Sequence, residues 1–210
     1  VFSSDEEALE AVKHWWKENG GYVIAGLVLG VAIIAGWRFW QASQESQAAN
    51  AAQLYQQTVM TVEARDWDEA ASVVDELRSD YRRTAYAAYA SLQLSAFAVD
   101  RDELDEAADL LNWVLENARD QELVKLSKVR LARVRIAMGE PETALSILDI
   151  SDPGRFAPLF EEVRGDALVA SGDRAAARQA YRRALDSDSE EFAARPELEM
   201  KYNDLAGYED

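Results

Sequence analysis

With 210 residues the chain has room for one folded domain and a further segment, and its abundance of helix formers with only ten glycines and four prolines favours an all-α fold. The net charge is −17, and from Gln41 onward there are 34 acidic and 19 basic residues, a surface that repels phosphate backbones and anionic headgroups, so no nucleic-acid partner is expected. There is no cysteine, which excludes disulfides and thiolate metal sites and suits a reducing or an oxidising compartment equally.

Residues 1–19 read as an amphipathic N-terminal segment, and residues 20–40 as a transmembrane anchor. From Asn19 to Trp37 no side chain is charged, and as a helix the run GGYVIAGLVLGVAIIAGW is about 27 Å long, close to the roughly 30 Å hydrocarbon core of a bilayer. Aromatics gather at both ends, Trp15, Trp16 and Tyr22 before and Trp37, Phe39 and Trp40 after, as they do at membrane interfaces. The run leads directly into a helix-forming stretch with no small-residue cleavage site, so it is expected to stay attached as a signal anchor. Lys13 and Lys17 precede the run and Arg38 follows it, a basic margin that favours an N-terminus inside. Gly26 and Gly30 form a GxxxG pair, where a second membrane helix could approach closely.

Residues 41–210 read as a tetratricopeptide-like domain: a right-handed solenoid of about four helix pairs. The stretch GDALVASGDRAAARQAYRRALDSD gives two antiparallel helices hinged at Ser171-Gly172-Asp173. Gly165 falls where the helices touch, while Ala177, Tyr181 and Ala184 share the facing stripe of the second helix. With Ala177 as register mark, equivalent small residues recur at Ala70, Ala107 and Ala144, at intervals of 37, 37 and 33 residues, near the 34-residue tetratricopeptide period. The position of Gly165 becomes Thr58, Ser95 and Ala132 in the earlier, more degenerate repeats. A further helix from Glu190 to Asp204 is expected to cap the last pair.

In stacked pairs of this kind the first helix of each pair lines a concave surface. The apolar residues expected there are Tyr55, Val59, Val62, Tyr89, Leu92, Val99, Leu126, Val129, Ile136, Leu159 and Val169, a groove for an extended or helical polypeptide, unless they are simply core.

Little in the chain suggests catalysis, and no cofactor or small-molecule substrate is expected. His14, the single histidine, lies among charged residues before the anchor rather than in a pocket. The acids from Asp100 to Asp109 lack the glycine and distal glutamate of a calcium loop and instead suit a helix start. Arg164-Gly165-Asp166 looks like an adhesion tripeptide, but its glycine is needed for helix packing. The basic run Lys125, Lys128, Arg130, Arg133 and Arg135 is expected to pair with neighbouring acidic helices, with a partner-docking patch as the other reading.

The whole order of parts resembles the YfgM family, opened by EEALEAVKHWWKENGGYVIAGLVLGVAIIAGWRFW and carrying RGDALVASGDRAAARQAYRRAL near its end. The opening motif is the more specific, since generic tetratricopeptide proteins lack it. The resemblance implies a bacterial inner-membrane protein with a cytoplasmic N-terminus and periplasmic repeats. It further implies an adaptor or chaperone beside the SecYEG translocon, partnered by a membrane-anchored chaperone of the parvulin-isomerase type, PpiD, and by emerging secretory clients. A tetratricopeptide scaffold of another envelope complex, for secretion or division, is the alternative the same surface could serve.

Overall fold

The computed structural model describes residues 3–186 and 196–207, and every regular element among them is helical. The chain divides into two compact units, Val1–Ala49 and Asn50–Asp210. Helix α1 (Ser3–Glu63) runs without interruption from the first into the second, as expected of a sequence with no proline before Pro141.

In the first unit α1 carries the apolar run on the outside of a lone helix: Tyr22, Leu27, Val31, Ile33, Ile34 and Trp37 are all more than half exposed. This segment is long and apolar enough to cross a membrane. An exposed apolar surface of this extent is not that of a core helix. Residues 41–50 are exposed, and Ala51 is the first buried position of the second unit.

The second unit pairs residues 50–63 of α1 with α2 (Trp67–Asp80), α3 (Ala85–Asp100) with α4 (Leu104–Asn117), α5 (Gln121–Ala137) with α6 (Pro141–Leu148), and α7 (Ala157–Ser171) with α8 (Arg174–Leu185). A 3-10 turn, Gly154–Phe156, leads into α7, and α9 (Pro196–Asp204) packs on α8. The expected capping helix is therefore present in its second half, while residues 190–195 lie outside the described ones.

One turn geometry is used four times. Arg65, Asp102, Gly139 and Gly172 each adopt a left-handed φ, between 58° and 91°, and the next residue donates its N–H to the carbonyl five positions back: Asp66 to Thr61 at 2.9 Å, Glu103 to Ala98 at 2.9 Å, Glu140 to Arg135 at 2.8 Å and Asp173 to Leu168 at 2.9 Å. This is the Schellman closure of a helix end. That next residue is also the N-cap of the second helix in each pair, and it is always acidic. Asp66 and Asp173 accept from the backbone N–H three residues on, at 3.2 and 3.0 Å, whereas Glu103 and Glu140, one methylene longer, make no such bond.

Each of these caps starts a helix whose fourth residue is the small register mark. Ala70, Ala107, Ala144 and Ala177 are all fully buried. Opposite them Thr58, Ser95, Ala132 and Gly165 are buried too. The hydroxyls of Thr58 and Ser95 are satisfied within their own helices, by Leu54 O at 3.0 Å and Leu92 O at 2.9 Å, so a polar residue there leaves no unpaired group at the helix contact. At Gly165 a Cβ would overlap the Tyr181 ring, which is why that contact tolerates no side chain. Among the described residues the core is a series of clusters, at the three junctions between neighbouring pairs and where the last pair meets α9, and Trp67 and Trp113 each pack against the first two.

Candidate protein-binding groove

The residues expected to line a groove lie on the first helices of the pairs, and a simple helical rule separates those turned inward. A residue three before the small contact position shares its face and is turned inward. Leu92 and Val129 occupy that position and are 5% and 1% exposed: they are core, not groove. Tyr55 has the same register but is half covered, resting near Tyr86 and Tyr89 with ring centroids 5.9 and 6.1 Å away.

The remaining expected groove residues divide in two. Val62, Leu126, Ile136 and Leu159 are half-buried and pack against core clusters, and Val59 is also half-buried. Tyr89, Val99 and Val169 expose 40%, 43% and 38% of their surface, enough for contact with a partner. In the first unit, Gly26 and Gly30 have no side chain near them, and they stand on a face open to another helix.

Between α3 and α5 the surface opens into a cleft of 370 Å³. Ala96, Val99, Val134 and Ala137 give it apolar walls, Leu104 and Leu111 of α4 complete the lining, and Arg130, Arg133 and Asp100 supply charge. The apolar rule used on the sequence passed over Ala96, Arg130, Arg133 and Ala137. The signal was present all the same: Ala96 and Arg133 follow the small contact residue by one, the same position as Val59.

The basic run is only partly neutralised. Lys125 lies 3.7 Å from Glu122 and 3.8 Å from Asp152, and Arg135 is 3.0 Å from Glu140. Arg133 reaches Glu162 only at 3.9 Å. Arg130 has no carboxylate partner among the described residues; it donates to the Leu92 carbonyl at 3.1 Å, an oxygen that also accepts from Ser95. Partial burial, and then the neighbouring Arg133, hold its guanidinium below the usual value.

On α7 the equivalent surface is closed. Asp166, in the register of Arg133, accepts from the Tyr181 hydroxyl at 2.8 Å and from Lys201 of α9 at 2.9 and 3.1 Å, and Lys201 also reaches Glu162 at 3.3 Å. Burial first, then the Asp166 and Glu162 charges, push the Tyr181 phenol well above its ordinary value. Burial opposes the charge on Lys201, but the two carboxylates outweigh it and raise its value. Among the described residues no group of three or more histidines and acids could hold a metal ion.

Four helix pairs with a repeated Schellman turn and small residues at each helix contact define a tetratricopeptide repeat-like protein, and residues 13–207 match the profile of that domain family. Together with the apolar segment of α1, the comparisons make the assignment narrower: the chain belongs to the YfgM family of ancillary SecYEG translocon subunits. It is 32% identical over 98% of both chains to the ancillary SecYEG translocon subunit of Escherichia coli K12. It is 30% identical to that of Haemophilus influenzae, over 96% of this chain and 97% of the relative. The corresponding Neisseria gonorrhoeae protein is 28% identical, again over 96% and 97%. No solved structure matches.

Proposed function

We propose that the chain is a membrane-anchored adaptor of the Sec translocon that assists proteins emerging into the periplasm by binding them or their chaperones, with no catalysis of its own. In this reading residues 1–19 are cytoplasmic, residues 20–40 span the inner membrane, and the repeat domain from about residue 41 is periplasmic. The Gly26 and Gly30 face meets a translocon helix, and the exposed residues Tyr89, Val99 and Val169 contact a PpiD-like chaperone or a client. The observation that carries the reading is a single unbroken helix, α1, that combines an apolar segment of membrane length with the first helix of a peptide-binding fold. Relatives along nearly the whole chain that are named as translocon subunits support the site of action.

Photocrosslinking in intact cells tests it, with probes at Gly26, Tyr89 and Val99. Adducts of translocon subunits from Gly26, and of a chaperone or secretory clients from Tyr89 and Val99, are expected. Adducts confined to unrelated components of the envelope would replace this reading by that of a scaffold for a different assembly.

A further inference from the structure

The charge pattern of the α3–α5 cleft specifies its occupant more closely than apolarity alone. In a chain of net charge −17, two arginines stand together in its wall while nearby carboxylates are already engaged: Glu162 and Asp166 by Lys201, with Tyr181 also on Asp166, and Asp100, which lines the same cleft, by Arg65 at 3.7 Å. Arg130 is half-buried with a shared main-chain carbonyl as its acceptor, which uses one of its five N–H groups and leaves its charge without a counter-ion. Arg133 is half exposed and holds Glu162 only at the 3.9 Å limit of an ion pair. Beside them Ala96, Val99 and Ala137 are exposed.

We infer that this cleft binds a polypeptide segment through an aspartate or glutamate side chain set between Arg130 and Arg133, with a neighbouring apolar residue of the same segment seated on Ala96, Val99 and Ala137. Charge complementarity selects this occupant. A guanidinium pair partly withdrawn from water gains most from a carboxylate, which can accept from both in a forked geometry, and the apolar wall rewards a non-polar neighbour. A segment that is apolar only would leave Arg130 still more desolvated and unpaired, a net cost.

The inference rests on the proposal that the concave face binds polypeptides, and the test separates the two. The full chain in mild detergent, carrying a photoreactive residue at Val99, is titrated with two fluorescent apolar peptides that differ only in a central Asp or Asn. The Asp peptide is expected to label with about tenfold higher affinity, the scale of one charge-assisted hydrogen bond. Arg133→Gln is expected to remove most of that preference, lowering labelling by the Asp peptide far more than labelling by the Asn peptide. Because Arg130 also braces the Leu92 carbonyl, Arg130→Lys is the companion variant: it keeps the charge and should keep part of the preference.

Equal labelling by both peptides, or a preference that survives Arg133→Gln combined with Arg130→Gln, overturns the arginine anchor but leaves the groove standing. Labelling by neither peptide, with client adducts still forming from Val99 in cells, also overturns it. Adducts joining two copies of the chain, or the probe to the chain's own tail, would assign the cleft to a different occupant and overturn it too.

Discussion

Two first helices built from the same repeat, α5 and α7, treat charge in opposite ways. On α7, Asp166 and Glu162 are met by Tyr181 and by Lys201 of the capping helix, and the surface is finished. On α5, the equivalent of Asp166 is Arg133, which reaches Glu162 only at 3.9 Å, and Arg130 has a main-chain carbonyl rather than a carboxylate as its acceptor. A polar network completed from within fixes where one helix sits on another; a charge left without a partner keeps a surface ready for something outside the chain. The difference lies in one helix, α9, which packs on the last pair and has no counterpart over α3 and α5 among the described residues.

The largest effect should come from the closed end. Gly165→Val would force the Tyr181 ring aside while Asp166 holds its hydroxyl, and thermal unfolding should show a loss of about 3 kcal/mol; an unchanged midpoint would mean that the ring is not fixed there. Lys201→Met should cost roughly 1–2 kcal/mol by leaving two part-buried carboxylates short of a partner.

The same network predicts a fall in stability with rising pH. The unfolded chain loses the Tyr181 proton near the ordinary value of 10.0 and the Lys201 proton near 10.5, while the folded domain retains both because both values are raised. The stabilisation is thus whole below pH 10 and is lost as pH climbs beyond it. Chemical denaturation at pH 9 and pH 11 should show this, with a shallower fall in Tyr181→Phe.

Smaller effects should appear at the four turns, which invite a comparison of their own. Asp102 has a φ of 62°, and Asp102→Gly should gain about 1 kcal/mol where Gly172→Ala, at φ 91°, should lose about as much. Glu103→Asp should add roughly 0.5–1 kcal/mol by giving α4 the cap bond that Asp66 gives α2. Helicity measured against denaturant would check all three, and a destabilised Asp102→Gly would show that Asp102 supports the turn by other contacts.

The positions that the sequence marked most clearly are those where size is the constraint. Ala70, Ala107, Ala144 and Ala177 could be aligned from spacing because each occupies a contact with no room for more. The left-handed turns were legible only at Gly139 and Gly172, since Arg65 and Asp102 adopt the same φ without the residue type that announces it. Groove and core could not be sorted at Leu92 and Val129, both buried, because apolarity does not tell an inward side chain from an outward one; the helical offset from Ser95 and Ala132 does. Arg130 and Arg133 were noticed only as charges within a basic run, because their place in the cleft depends on where α3 lies beside α5.

Of the six tryptophans, four belong to the first unit and two, Trp67 and Trp113, to the repeats. Both of the latter pack where the first pairs meet, each beneath a guanidinium, Arg101 at 5.0 Å and Arg78 at 5.3 Å. The intrinsic fluorescence of the isolated repeats thus reports on one end of the array, whereas their far-ultraviolet dichroism averages over all of it. Repeats held only by their neighbours can fray from a terminus, so the two optical signals give separate clocks: if α8 and α9 unravel first, the dichroism falls while the tryptophan emission has yet to move.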